Sequence, residues 1–155
     1  MNQSPLVRWL SSQFVSLMKL LTPFLRRPRV DEITTEELAR LLKKRDGNFV
    51  LVDVRSDDEI NVSMIPGAIS RAEFLNHQDD FIGKQVITYC TVGGRALLFA
   101  QQCARAGFEA RSYRGSILAW CESGHPLVTP DGSPTHRVHT HSRLFTVPAG
   151  YERVY

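Results

Sequence analysis

The chain has 155 residues, 43% hydrophobic and 23% charged, an ordinary globular composition that argues against disorder and allows one domain with a core. A formal charge of +3 is too mild to imply nucleic acid as a partner. The charge is also uneven: residues 1–30 carry Arg8, Lys19, Arg26, Arg27 and Arg29 and no acid, whereas the remainder holds 14 basic and 16 acidic side chains.

Ser4-Pro5 reads as a helix start, with Ser at the N-cap and Pro in the first turn. Leu6, Leu10, Phe14, Leu17, Leu21 and Phe24 then recur at helical spacing. Pro23 ends or kinks that helix, and Arg26-Arg27-Pro28-Arg29 reads as a linker. Arg8, Ser11, Ser12, Gln13, Ser16 and Lys19 interrupt the apolar run, so neither a membrane span nor a secretory signal is expected. Three readings of residues 1–29 stand: a helix packing on its own domain or on a second copy, a peripheral helix in a membrane interface, and a cleaved targeting peptide.

A main domain is expected over residues 30–128. Thr34-x-x-Glu37 is a capping box opening a helix with Leu38, Leu41 and Leu42 on one face. Phe49 to Val54 is a short apolar run between breakers, a buried and most simply parallel strand. Ser56-Asp57-Asp58-Glu59 opens a second helix, with acids where the helix dipole favours them. Pro66-Gly67 turns the chain, and Ala68 to Ser70 is a brief strand. Val86 to Tyr89 is the next buried strand. Arg95 to Ala106 is helical and closes at Gly107. Glu109 to Tyr113 is a strand, and Ser116 to Ser123 a helix ended by Gly124. Alternating strands and helices predict an α/β fold, three-layered α/β/α with a mostly parallel sheet. Residues 129–155 are punctuated by Pro and Gly and read as an extension packed on the domain, with one strand from Arg137 to Phe145.

The three cysteines, Cys90, Cys103 and Cys121, form no disulfide pattern and no CxxC pair, so free thiols in a reducing compartment, the cytoplasm, are expected. Cys90 opens the segment Cys90-Thr91-Val92-Gly93-Gly94-Arg95, between a buried strand and a helix. Ligands bind beyond the carboxyl ends of parallel strands. Gly93 and Gly94 let the backbone curl its N–H groups inward as an anion nest. The helix end and Arg95 add positive charge. All three favour thiolate over thiol at Cys90. Cys103 reads as core filling inside a helix, and Cys121 as a plain helix position with the alternative that it approaches the pocket.

Cys-x-x-Gly-x-Arg after an apolar strand resembles the active-site loop of the rhodanese family. Leu51 to Ser56 with Glu59, then Ile65-Pro66-Gly67-Ala68, resembles the first-half signature of that family; Tyr113 to Trp120 with Gly124 resembles its last strand and helix. The resemblance covers about residues 31–128. Ser63 and Met64 depart from it, standing where members often carry Gly-His. It implies a rhodanese-like fold and a sulfurtransferase in which Cys90 is catalytic and Thr91, Val92, Gly93, Gly94 and Arg95 bind substrate. The implied donor is a small sulfur-bearing anion such as thiosulfate, the acceptor cyanide or a thiol, with no cofactor. Related phosphatases and arsenate reductases have five residues between Cys and Arg. Here there are four, which favours a single sulfur atom over a tetrahedral oxyanion.

Arg55 and Arg114 are candidates for steering anions to the pocket, with the alternative that Asp53 and Arg55 brace the domain as an ion pair. His136, His139 and His141 share the tail, but no acid or Cys ligand lies near them, so no metal site is expected. Two other functions compete with this reading: an interaction module without turnover, against which the intact Cys90 and Arg95 argue, and the phosphatase-like enzyme that the loop length disfavours.

Overall fold

A computed structural model describes residues 28–155; the expected N-terminal helix lies outside the described residues. The strands are β1 (Asp31–Ile33), β2 (Phe49–Asp53), β3 (Ala68–Ser70), β4 (Gln85–Tyr89) and β5 (Ala110–Tyr113). They form one five-stranded sheet in the order β1-β5-β4-β2-β3, with every pairing parallel. The helices are α1 (Thr35–Lys44), α2 (Asp57–Val62), α3 (Arg71–Asn76), α4 (Gly94–Arg105) and α5 (Ser116–Glu122), with a 3-10 turn at Gln78–Phe81.

Side chains alternate across a strand, and both faces of this sheet are covered. Leu51, Ile87, Tyr89 and Tyr113 point to one face, where Leu38 of α1 and Ile117, Trp120 and Cys121 of α5 complete a core. Val50, Val52 and Val86 point to the other, against Phe74 of α3 and Ala96, Phe99 and Cys103 of α4. The result is the expected three-layer α/β/α arrangement.

Local chemistry sets the boundaries. The Thr34 hydroxyl accepts from the Glu37 amide at 3.2 Å, and Glu37 accepts from the Thr34 amide at 3.1 Å, forming the predicted capping box. Chain progress reverses between β2 and β4: β2 leads to β3 on one side, and β4 returns on the other. A crevice beyond the strand ends is built at such a reversal, and the loops after β2, β4 and β5 meet there.

The tail differs from expectation. The predicted strand from Arg137 to Phe145 is only β8 (Arg137–His139), paired in parallel with β9 (Glu152–Val154). His141 has φ 63°, a left-handed conformation that ends extended pairing. Two short strands, β6 (Leu127–Val128) and β7 (Pro134–Thr135), form an antiparallel pair. Val138 is fully buried, and Phe145, Val147 and Tyr151 pack against the α1/α5 face. Ser63 and Met64 are held through the backbone: Ser63 O accepts from Arg55, and Met64 exchanges hydrogen bonds with Val128.

Candidate active site

Cys90 directly follows β4. Its residue is 1% exposed, so the sulfur lies on the floor of the crevice. The loop folds back over it, and the Gly93 amide donates to Cys90 Sγ at 3.0 Å. Gly93 has φ +105°, and a methyl group there would overlap the carbonyl oxygen of Arg114. Only glycine meets both conditions. The amides of Val92 and Ala96, the latter in the first turn of α4, also act on the sulfur.

Burial pushes the Cys90 thiol up, but the Ala96, Gly93 and Val92 amides and the Ser116 hydroxyl outweigh it, holding the thiol below its ordinary value. Burial without such partners drives the other two thiols the opposite way, Cys103 to about 11 and Cys121 to about 12. Of the three thiols, that of Cys90 is the one shifted toward the anion.

Helix α5 holds the loop from the far side. The Cys90 amide donates to Ser116 Oγ at 3.1 Å, and Cys90 O accepts from the Ile117 amide at 3.0 Å. Ser116 Oγ stands 2.9 Å from Tyr113 O and 3.8 Å from Cys90 Sγ. One hydroxyl proton serves two acceptors, so it can turn to the sulfur when negative charge develops. Ser116 itself has φ 54°, a strained conformation for a residue with a Cβ.

The Arg95 charge is shared: its guanidinium pairs first with Glu59 and also acts on the Cys90 sulfur. Its Nη1 donates to Glu59 Oε2 at 2.7 Å, and its Nη2 to Glu59 Oε1 at 2.8 Å and Thr91 Oγ1 at 2.9 Å. Thr91 Oγ1 also donates to Glu59 Oε1 at 2.7 Å, while the Ser56 amide and hydroxyl reach Oε2. Burial raises the Glu59 carboxyl, but Arg95, Thr91 and Ser56 overcome this and hold it far below the carboxylate range. Arg95 thereby ties α4 and the loop to α2. His141 from the tail stands 3.8 Å from the same carboxylate.

Of the two steering candidates, Arg55 is corrected. Its side chain is fully buried, and Nη2 meets Asp53 Oδ2 at 2.7 Å. Asp53 also accepts from the Tyr89 hydroxyl. A charge neutralised inside the core attracts no anion from solution, and the pair braces β2 to β4. Arg114 is exposed at the crevice end of the sheet, with its guanidinium 3.6 Å from Glu32. The sequence does not mark Ser116 or Glu59 as site residues. Glu59 was hidden by its second task, because a carboxylate three residues after Ser56 is already explained as a helix cap. Ser116 carries no signal beyond its place after Arg114-Gly115.

Residues 34–123 match the model of the Rhodanese-like domain family. The chain is 31% identical over 107 residues to a sulfurtransferase of Allochromatium vinosum, covering 66% of this chain and 99% of that one. It is 41% identical over 76 residues to a tRNA sulfurtransferase of Desulfurococcus amylolyticus, covering 48% of this chain but only 15% of that enzyme. The solved thiosulfate sulfurtransferase of Pseudomonas aeruginosa superposes with a TM-score of 0.58 at 25% identity, over 67% of this chain and 21% of the other.

Proposed function

The chain belongs to the rhodanese-like domain family, and on that premise we propose that it moves sulfane sulfur from a donor such as thiosulfate to cyanide or a thiol through a persulfide on Cys90. A sulfurtransferase of rhodanese type follows from its relatives; the donor, the acceptor and the covalent intermediate are the proposal. The observation that carries it is the lowered thiol of Cys90 under the Gly93 amide, at the end of a central strand.

The reaction is a double displacement. The Cys90 thiolate attacks the outer sulfur of thiosulfate. A new S–S bond forms, the donor S–S bond breaks, and sulfite leaves with the electron pair. The charge then rests on the outer sulfur of the persulfide, stabilised by the loop amides as an oxyanion hole stabilises an alkoxide. An acceptor nucleophile attacks that sulfur, and the electron pair of the breaking bond returns to Cys90 Sγ. No base is required, because the thiol enters the cycle already inclined to ionise. Treatment with thiosulfate is expected to add the mass of one sulfur atom, about 32 Da, by this covalent route. Cys90→Ser abolishes the adduct and Cys103→Ser keeps it; an adduct surviving in Cys90→Ser overturns the assignment.

A further inference from the structure

A groove of about 720 Å³ runs from the Cys90 loop across the start of α1 and over α5 to the tail. Val92, whose amide acts on the Cys90 sulfur, forms one end. Gly115, the neighbour of Ser116, lies along its floor. The remaining walls combine two kinds of side chain. Glu32, Glu36 and Glu122 bring three carboxylates against the single guanidinium of Arg114, which already faces Glu32. Val92 is 48% exposed and Leu144 is 88% exposed, so apolar surface stands open between the acids.

Cyanide and thiosulfate are both too small to need this space. We propose that the groove receives the sulfur acceptor, and that the acceptor is a cysteine in an exposed protein segment bearing basic side chains next to an apolar one. The proposal rests on the persulfide reading above and names the acceptor of that site. Lysine or arginine of the segment meets Glu36 and Glu122, and its apolar residue covers Leu144 and Val92. Clefts lined by one sign of charge concentrate partners of the other. Its cysteine, as thiolate, attacks the outer sulfur of the persulfide. The bond from that sulfur to Cys90 Sγ breaks, Cys90 recovers the electron pair, and the acceptor leaves as a persulfide. The acceptor's thiol proton passes to solvent.

The test uses the full chain, thiosulfate as donor, and three acceptors: a peptide with one Cys flanked by Lys and Leu, the same peptide with Glu for Lys, and cyanide. The Lys peptide is expected to accept sulfur at least about tenfold faster than the Glu peptide, as charge steering gives. The preference should shrink as salt rises. Glu36→Lys with Glu122→Lys should erase or invert it and leave the cyanide rate unchanged. Equal rates for the two peptides overturn the proposal, as does a charge-reversed groove that slows cyanide equally, because the change then acts on the fold or the loop. A reversed groove that speeds every acceptor also overturns it, because the change then acts on donor loading or access to Cys90 and not on recognition of the acceptor. Absence of any persulfide, read from the cyanide arm, removes the reading beneath the proposal and the proposal with it.

Discussion

At Cys90 the balance between burial and hydrogen bonding decides the chemistry, and Ser116 is the side chain through which that balance can be adjusted. Ser116→Ala removes a hydroxyl from the sulfur and leaves the left-handed backbone in place. A hydrogen bond of this kind contributes about 1 kcal/mol, or roughly fivefold in an equilibrium. The thiolate absorbance of Cys90 should therefore appear at higher pH in Ser116→Ala, with sulfur loading at neutral pH several times slower. Ser116→Gly also loses the hydroxyl but relieves the positive φ, which returns about 1 kcal/mol of stability. The two variants should share the slower loading and differ in melting temperature. Equal reactivity in the parent and both variants would remove Ser116 from the site.

Among the elements, the turn from β4 into α4 tolerates least. Gly93→Ala places a methyl against the Arg114 carbonyl in a conformation that disfavours any Cβ. The expected cost is about 1–3 kcal/mol, together with loss of sulfur loading, because the Gly93 amide must move away from the sulfur. The tie between α2 and α4 through Glu59 and Arg95 is open to acid. The Glu59 carboxyl is lowered in the folded state, so its contribution to stability is complete above the unfolded carboxylate value. It is lost as pH falls through the lower folded value. Arg95 is 37% exposed at its side chain, so part of the pair is screened and the contribution is modest. Glu59→Gln should lower stability at neutral pH and flatten its decline in acid, as read by denaturant unfolding at a series of pH values. An unchanged acid slope would mean that the carboxylate is not held as described.

Across the molecule, the buried acids of the core set the alkaline limit. Cys103 is raised to about 11, Cys121 to about 12 and Tyr113 to about 12, burial being the first cause in each case. Each contributes stability that is complete below its unfolded value and lost as pH rises through its folded value. The melting temperature should therefore fall from about pH 8.5, the free-thiol value, through the range of the folded values. Cys121→Ala should make that fall shallower, although it lowers stability at neutral pH by opening a small cavity. The same burial explains what the sequence made legible. The runs Phe49–Asp53 and Gln85–Tyr89 are covered on both faces and announce themselves as apolar. β1 buries only Ile33, and α3 fully buries only Phe74, so neither carries a pattern long enough to read. Cys90 and its loop were legible because backbone demand wrote itself as glycine. Ser116 was not, because its contribution depends on where β5 delivers the start of α5.

The depth of Cys90 would also set the order of events in the proposed cycle. In a residue that is 1% exposed the sulfur can be approached by a lone terminal sulfur atom but not by a peptide or a bulky disulfide. In the proposed cycle, loading would extend the side chain by one S–S bond, about 2 Å, and so lift the transferable atom above the buried Sγ. Large partners can touch the protein's sulfur only when there is sulfur to take. An empty molecule is therefore shielded from glutathionylation and from dead-end mixed disulfides. Incubated with oxidised glutathione, the folded chain should stay unmodified at Cys90, and should become labelled once urea has opened the loop.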